Sequence, residues 1–316
     1  MLVLSTTTLT PELQSKLTEA YQDLTFQFTE NIEQAQPYLS EASIIITYGE
    51  DLTDKHIERA TQLKWIMVIS AGMDQMPFEA IKKRGIQVTN ARGIHRIPMA
   101  EYAIAMFLQL YRKHEVFLDK QKARVWDQSV ATEEISYRTM TIIGAGAIGE
   151  ELARIAKAFH IKTIGVSNRG REKPYFDQIY QTKDTLIAIE EADFVVSILP
   201  STSETKGFYQ AEHFETMKSS AIFLNMGRGD AVEAETIIEA LDQEQISHAV
   251  LDVFEQEPLP EDHPLWRHEK VTLTPHISGK SSNYLPRAMA IFEENLVSFL
   301  NEGQFTVNVI DPNRGY

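Results

Sequence analysis

The 316-residue sequence contains no cysteine, and its net charge is −15 at pH 7. Without cysteine the chain can form no disulfide, no thiol nucleophile and no thiolate zinc site, which fits a reducing compartment. The negative charge argues against nucleic acids and anionic membranes as partners, since both bind basic surfaces. Apolar stretches such as Tyr102–Tyr111 fall well short of the roughly 20 residues of a spanning helix, and no apolar leader opens the chain. We therefore expect a cytoplasmic protein.

Short β-branched runs alternate with segments of helical apolar period along the whole chain. This alternation predicts an α/β fold whose parallel sheets carry helices on both faces. Residues 1 to about 96 should form one such domain. The apolar helix Ile97–Tyr111 should lead into a second domain, and a long helix at about Tyr284–Asn301 should return to the first.

A glycine-rich turn lies at the centre of the stretch Thr141–Arg171. Gly144, Gly146 and Gly149 have G-x-G-x-x-G spacing between a β-branched run and a helical pattern, which is the context of a dinucleotide-binding loop. Free N–H groups at the helix start, around Ala147 and Ile148, would face the phosphates. A turn that only packs, or a nucleoside site of a methyltransferase, are the alternatives.

The end of the second strand of this unit bears on the choice of cofactor. A carboxylate there would bind the ribose 2′-hydroxyl of NAD, but the chain has no Asp or Glu from Leu152 to Arg171. Ser167, Asn168, Arg169 and Arg171 stand there instead. Their guanidiniums and small polar groups suit a 2′-phosphate, which favours NADP(H) over NAD(H). The alternative is that the arginines are solvated loop charges.

Three side chains that could take part in catalysis follow successive predicted strands. Arg228 follows Ala221–Leu224, Glu257 follows a strand at Ala249–Phe254, and His276 follows Val271–Thr274. The carboxyl ends of parallel strands meet at one sheet edge, where ligands bind. Arg228 could bind a carboxylate or polarise a carbonyl, His276 could transfer a proton, and Glu257 beside it would favour the imidazolium.

Each of these three residues also has an ordinary structural interpretation. An arginine between glycines is commonly solvated, a histidine after proline is commonly packed, and Glu-Pro is common in surface turns. Their coincidence at one edge beside a nucleotide loop favours the catalytic interpretation. No metal site is predicted, because His263 and His268 have no third ligand nearby.

Several ordered segments resemble the D-isomer-specific 2-hydroxyacid dehydrogenase family. The strongest similarity lies in the segments Leu224–Asp230 (LNMGRGD), Leu251–Pro260 (LDVFEQEPLP) and Leu273–Gly279 (LTPHISG). Further similar segments are Ser70–Asp74 (SAGMD), Pro98–Glu101 (PMAE) and Ile198–Thr205 (ILPSTSET). The resemblance extends from about Ser70 to the C-terminus, with little signal before it.

The resemblance implies a two-domain enzyme with a cleft between two Rossmann-like or flavodoxin-like domains. Residues 1–96 with 284–316 would bind substrate, and residues 97–283 would bind the dinucleotide. Arg228, Glu257 and His276 would be the catalytic trio. Further residues are implied at the substrate carboxylate, through backbone amides at Ala71, Gly72 and Met73, and at the cofactor, through Leu199, Pro200, Met226, Gly227 and Asp252, the last on the nicotinamide carboxamide.

The implied activity is hydride transfer between NADP(H) and a small 2-oxo or D-2-hydroxy acid, with reduction of glyoxylate or hydroxypyruvate favoured. The segment from Ser167 to Arg171 is similar to the NADPH-linked glyoxylate/hydroxypyruvate reductase branch. The chain ends at Tyr316, without the regulatory domain of some phosphoglycerate dehydrogenases. An NAD-linked dehydrogenase of that type and a nucleotide-sensing, non-enzymatic binding protein are the alternatives. The resemblance also suggests a homodimer formed through the nucleotide domains.

Overall fold

The computed structural model describes residues 1–70, 73 and 75–311 and divides into two compact units. The first comprises Met1–Ile94 and Ser281–Tyr316, and the second comprises His95–Lys280. Each unit is built on its own sheet, and every strand pair within the sheets is parallel. The prediction of an α/β protein with two Rossmann-like domains is confirmed.

The sheet of the first unit has the order β2-β1-β3-β4-β5. Its strands are β1 (Leu2–Ser5), β2 (Thr25–Phe28), β3 (Ala42–Thr47), β4 (Trp65–Val68) and β5 (Gln87–Asn90). The central strands β3 and β4 are mostly apolar and, apart from half-buried Ser43, fully buried, as expected of parallel strands covered by helices on both faces.

The sheet of the second unit has the order β12-β11-β10-β9-β6-β7-β8. Its strands are β6 (Thr139–Ile143), β7 (Lys162–Ser167), β8 (Gln178–Gln181), β9 (Phe194–Ser197), β10 (Ile222–Asn225), β11 (His248–Leu251) and β12 (Val271–Leu273). The strand order reverses between β6 and β9, so the loops after these strands open at the point where doubly wound sheets bind ligands.

Helices cover both sheets. In chain order they are α1 (Pro11–Ala20), α2 (Ile32–Ala35), α3 (Asp54–Arg59), α4 (Phe78–Lys83), α5 (Arg96–Tyr111), α6 (His114–Lys122), α7 (Ala147–Ala158), α8 (Thr185–Ile189), α9 (Ala211–Thr216), α10 (Ala234–Asp242) and α11 (Tyr284–Glu302). Helix α11 packs on the first sheet, where Phe292 stacks on Trp65 with ring centroids 5.1 Å apart. None of the described helices combines the length and apolar character needed to cross a bilayer.

The strands differ from the sequence prediction at the edges of the sheets and at the end of β11. The edge strands β2 and β8 were not predicted, because they are short and largely half-exposed and have no continuous apolar run. The strand predicted over Ala249–Phe254 is wrong at its end. Strand β11 stops at Leu251, and Asp252 is the first residue of the following loop rather than a strand residue.

His248, the first residue of β11, should make the fold acid-sensitive. Burial, followed by the positive charges of Lys113 and His268, lowers the pKa of His248 from 6.5 to about 4. The unfolded chain therefore binds this proton at higher pH than the folded chain does. The contribution of His248 to the free energy of unfolding is fully present above pH 6.5. It falls by roughly 3 kcal/mol as the pH is lowered to about 4.

Urea unfolding at pH 7 and pH 4 measures this effect. The loss of stability should be smaller in His248→Gln than in the parent chain. An equal loss in both proteins would contradict the assignment to His248.

Candidate active site

The glycine turn after β6 has the geometry of a nucleotide loop. Gly144 has φ +106°, and a Cβ there would lie 2.7 Å from the carbonyl oxygen of Ile198. A Cβ on Gly149 would lie 2.6 Å from the carbonyl oxygen of Gly144, so α7 packs directly against the turn. A Cβ on Gly146 would meet no described heavy atom within 4 Å. The backbone at Gly146 and Ala147 is exposed at the start of α7, where N–H groups and the helix dipole attract phosphate.

The loop after β7 lies beside this turn, because β6 and β7 are neighbouring strands. Asn168, Arg169 and Arg171 are exposed, and Ser167 is half-buried. The Asn168 side-chain oxygen accepts a hydrogen bond of 3.0 Å from the Thr182 hydroxyl. In the described part of the chain neither arginine forms an ion pair, so both guanidiniums are available to bind an anionic ligand.

His276 and Glu257 form a direct pair. The Nδ1 atom of His276 lies 2.7 Å from Oε2 of Glu257, and both side chains are partly exposed. The other oxygen of Glu257 accepts a hydrogen bond of 3.0 Å from the backbone N–H of Phe254, which holds the carboxylate in place. Since Nδ1 is engaged with the carboxylate, Nε2 is the ring nitrogen left to exchange a proton with a ligand.

Arg228 follows β10, the strand beside β11, and its side chain is exposed. Its guanidinium donates a hydrogen bond of 2.8 Å to the carbonyl oxygen of Gly227. No acidic side chain among the described residues pairs with it. The remaining N–H donors can therefore bind an anionic ligand.

The loops that carry Arg228 and Glu257 are in backbone contact. A Cβ on Gly229 would lie 1.9 Å from the carbonyl carbon of Phe254, so only glycine fits at this position. Buried Asn225 stabilises the Arg228 loop, because its side chain donates to the carbonyl of Arg228 at 3.0 Å and accepts from the N–H of Gly227 at 3.2 Å.

Asp252 is fully buried and organises the loop that carries His276. Its carboxylate accepts hydrogen bonds from the Thr274 hydroxyl at 2.6 Å and from the backbone N–H groups of Ile277 and Ser278, each at 2.8 Å. His276 itself has φ +52°, a left-handed conformation that residues other than glycine adopt at a cost. The carboxylate therefore stabilises an otherwise unfavourable turn.

Two residues near this site were not predicted. His95, immediately before α5, has its Nδ1 atom 3.3 Å from the carbonyl oxygen of Gly279. Burial lowers the pKa of His95 most, and the charges of Arg228 and His276 lower it further. Tyr102, on α5, has its hydroxyl 2.6 Å from that of Thr274. A histidine just before the predicted apolar helix Ile97–Tyr111 was the available signal for His95.

The other predicted site residues have different degrees of access. Pro200 is exposed and Ile148 half-exposed, whereas Leu199, Met226 and Gly227 are buried. The buried ones could meet a ligand only through their backbone. Ala71 and Gly72 lie outside the described residues, and Met73 is buried in the first unit. No group of three or more metal-ligating side chains occurs in the described part of the chain.

Comparison with known proteins identifies relatives along almost the whole chain. Residues 104–278 match the family described as D-isomer specific 2-hydroxyacid dehydrogenase, NAD binding domain. The chain is 31% identical over 291 residues to glyoxylate/hydroxypyruvate reductase B of Escherichia fergusonii, which covers 90% of this chain and 89% of the relative.

Solved structures show the same similarity. The crystal structure of a D-isomer specific 2-hydroxyacid dehydrogenase family protein from Aeromonas salmonicida has a TM-score of 0.87 and 35% identity, covering 98% of this chain and 99% of that one. The structure of phosphoglycerate dehydrogenase from Lactobacillus plantarum has a TM-score of 0.59 and 33% identity, covering 98% and 100%. The chain therefore belongs to the D-isomer specific 2-hydroxyacid dehydrogenase family and is an NAD(P)-dependent oxidoreductase.

Proposed function

We propose that this protein is an NADPH-dependent reductase of small 2-oxo acids, with glyoxylate or hydroxypyruvate as substrate and a D-2-hydroxy acid as product. The observation that supports it most is the 2.7 Å His276–Glu257 pair, which stands with Arg228 on loops after adjacent strands. The similarity to glyoxylate/hydroxypyruvate reductase B of Escherichia fergusonii supports the choice of substrate.

Each side chain of the proposed site would have a separate role in the reaction. Bound NADPH supplies the hydride that reduces the carbonyl carbon of the substrate. Protonated His276 gives its Nε2 proton to the carbonyl oxygen, and Glu257 holds the ring and stabilises its cation. Arg228 binds the substrate carboxylate or polarises the carbonyl through its unpaired N–H groups. The −15 net charge makes this local cation necessary for an anionic substrate.

The exposed backbone around Gly146 would hold the cofactor pyrophosphate, and Arg169 with Arg171 would hold the 2′-phosphate. The open space at Gly146 and the two unpaired guanidiniums fit these groups. Backbone at Leu199, Pro200, Met226 and Gly227 would complete the cofactor site. Asp252 is completely buried, which supports a role in shaping the loop that carries His276. This loop would lie beside the nicotinamide.

Removing the two loop cations should change the choice of cofactor. In the variant Arg169→Ala/Arg171→Ala we expect KM for NADPH to rise roughly 10–150-fold, because the two exposed, solvent-screened guanidiniums together contribute about 1.5–3 kcal/mol. KM for NADH should change little. Steady-state kinetics with both cofactors measure this.

Lys162→Ala is the matched control, since it removes an exposed cation from the opposite end of β7. It should leave both KM values unchanged. An equal rise of KM for NADH and NADPH in the double variant would mean that the arginines do not bind the 2′-phosphate.

One assay distinguishes the candidate functions. The purified chain is supplied with glyoxylate, hydroxypyruvate or 3-phosphohydroxypyruvate and with NADPH or NADH, and kcat/KM is compared. The highest value with NADPH and glyoxylate or hydroxypyruvate supports the proposal. Preference for NADH and the phosphorylated acid would favour the second candidate, an NAD-linked dehydrogenase of the phosphoglycerate type, the activity named for the Lactobacillus plantarum structure. No turnover with any of these pairs would contradict the proposed substrates.

We further propose a cytoplasmic homodimer formed through the second unit. Helix α6 and the segment after it expose Val116, Phe117, Leu118 and Val125, and Trp126 is 90% exposed. Exposed apolar side chains this close together in the chain are typical of protein–protein interfaces. Sedimentation equilibrium should give twice the chain mass.

The contact of the substrate carboxylate with amides at Ala71–Met73 likewise remains a proposal.

A further inference from the structure

Helix α5 contacts the loop Thr274–Gly279 at two points. His95, at its N-terminal end, lies 3.3 Å from the carbonyl of Gly279, and Tyr102 lies 2.6 Å from Thr274. The two residues are seven positions apart, which is about two helical turns, so they lie on the same face of the helix. The loop between these contacts carries His276.

The direction of the hydrogen bonds in this network follows from its chemistry. A carboxylate only accepts hydrogen bonds, so the single Thr274 proton is donated to Asp252. The oxygen of Thr274 can then only accept from Tyr102, which must be the donor. Burial raises the pKa of Tyr102, so this donor keeps its proton at every working pH. The result is a directed relay from Tyr102 through Thr274 to Asp252.

The far end of the relay fixes the backbone around the proposed acid–base group. Asp252 accepts from the N–H groups of Ile277 and Ser278, the two residues after His276. The near end is rigid, because α5 is embedded in the core of the second unit. Phe107 of α5 stacks on Phe194 of β9 with ring centroids 4.2 Å apart.

We propose that Tyr102 is a positioning residue for His276, acting through Thr274 and Asp252. It touches neither substrate nor cofactor in this proposal. Its hydroxyl orients Thr274, Thr274 orients the carboxylate, and the carboxylate holds the left-handed turn that aims the imidazole. The proposal rests on the acid–base role given to His276 above.

Four variants test the relay through kcat. Tyr102→Phe should lower kcat roughly tenfold, and Thr274→Val roughly ten- to a hundredfold, because small displacements of a reacting group are costly. KM for NADPH should stay within twofold of the parent value. Thr274→Ser should restore most of the kcat lost in Thr274→Val. If Tyr102 acts only through Thr274, the double variant Tyr102→Phe/Thr274→Val should be no slower than Thr274→Val alone.

The matched control is Tyr111→Phe, which removes a phenol oxygen from the same helix and should leave kcat unchanged. Additive losses in the double variant would overturn the relay, as would an unchanged kcat in Tyr102→Phe. Hydrogen exchange of the Ile277 and Ser278 amides gives a second measurement that needs no turnover. Exchange should be faster in Tyr102→Phe than in the parent chain, and equal rates would contradict the proposal.

These measurements separate failure of the relay from failure of the proposed function. If the parent protein does not reduce any 2-oxo acid, the proposed function fails, while the exchange rates still decide whether Tyr102 holds the loop. If the parent is active and His276→Ala is inactive but Tyr102→Phe is fully active, only the relay is wrong.

Discussion

Replacing His276 with alanine is expected to lower kcat for glyoxylate reduction roughly 10²–10⁴-fold, the range for loss of a positioned general acid. The dissociation constant of NADPH should stay within twofold, because no proposed cofactor contact is removed. The imidazole has Nδ1 engaged by Glu257 at 2.7 Å, and methyl cannot replace the proton that Nε2 supplies. Stopped-flow turnover and fluorescence titration of NADPH measure the two quantities.

A backbone effect must be separated from the chemical one. His276 has φ +52°, and alanine tolerates this region less well than asparagine does. His276→Asn keeps a residue suited to the turn and should show the same loss of kcat. Near-normal kcat in His276→Asn, or equal loss of turnover and NADPH binding in both variants, would exclude the acid role. Glu257→Gln keeps a hydrogen-bond acceptor without charge and should have an intermediate kcat.

Replacing Arg228 with alanine is expected to raise KM for the 2-oxo acid roughly 10–150-fold. The estimate takes about 1.5–3 kcal/mol for the lost hydrogen bonds to a carboxylate. The side chain is exposed and bonds only to the carbonyl of Gly227 among the described residues, so the melting temperature should hardly change. Steady-state kinetics with glyoxylate test this.

Arg228→Lys is the informative companion variant. It keeps the positive charge but loses the planar fork, so KM should lie between the values of the parent and the alanine variant. A lysine variant as poor as alanine would show that geometry dominates over charge. An unchanged KM in Arg228→Ala would remove this residue from the substrate site.

The features predicted best from the sequence are those with a local signature. The glycine spacing and the helical period after Gly144 define β6, α7 and β7 in one continuous segment. Helix α6 was missed for the opposite reason, because none of its residues is buried and its apolar residues Val116, Phe117 and Leu118 are consecutive, so they give no helical apolar period. The end of β11 was misplaced because the apolar Val253 continues the run beyond the hydrogen-bonded strand.

The parts of the site that sequence alone did not provide are contacts between distant segments. Tyr102 and Thr274 are 172 residues apart, and His95 and Gly279 are 184 apart. Nothing local in either member of a pair marks its partner. The rule that parallel strands end at one edge placed Arg228, Glu257 and His276 on neighbouring loops, but it carries no information on the helix that lies against them.

The backbone contact between Gly229 and Phe254 has a mechanical consequence. Since a single methyl group at position 229 would overlap the chain at 254, any larger residue must push the two segments apart. The guanidinium proposed to bind the acid and the carboxylate that holds the imidazole would then move away from each other. In the parent chain the two charges are therefore held at one spacing, which a larger residue at position 229 would widen.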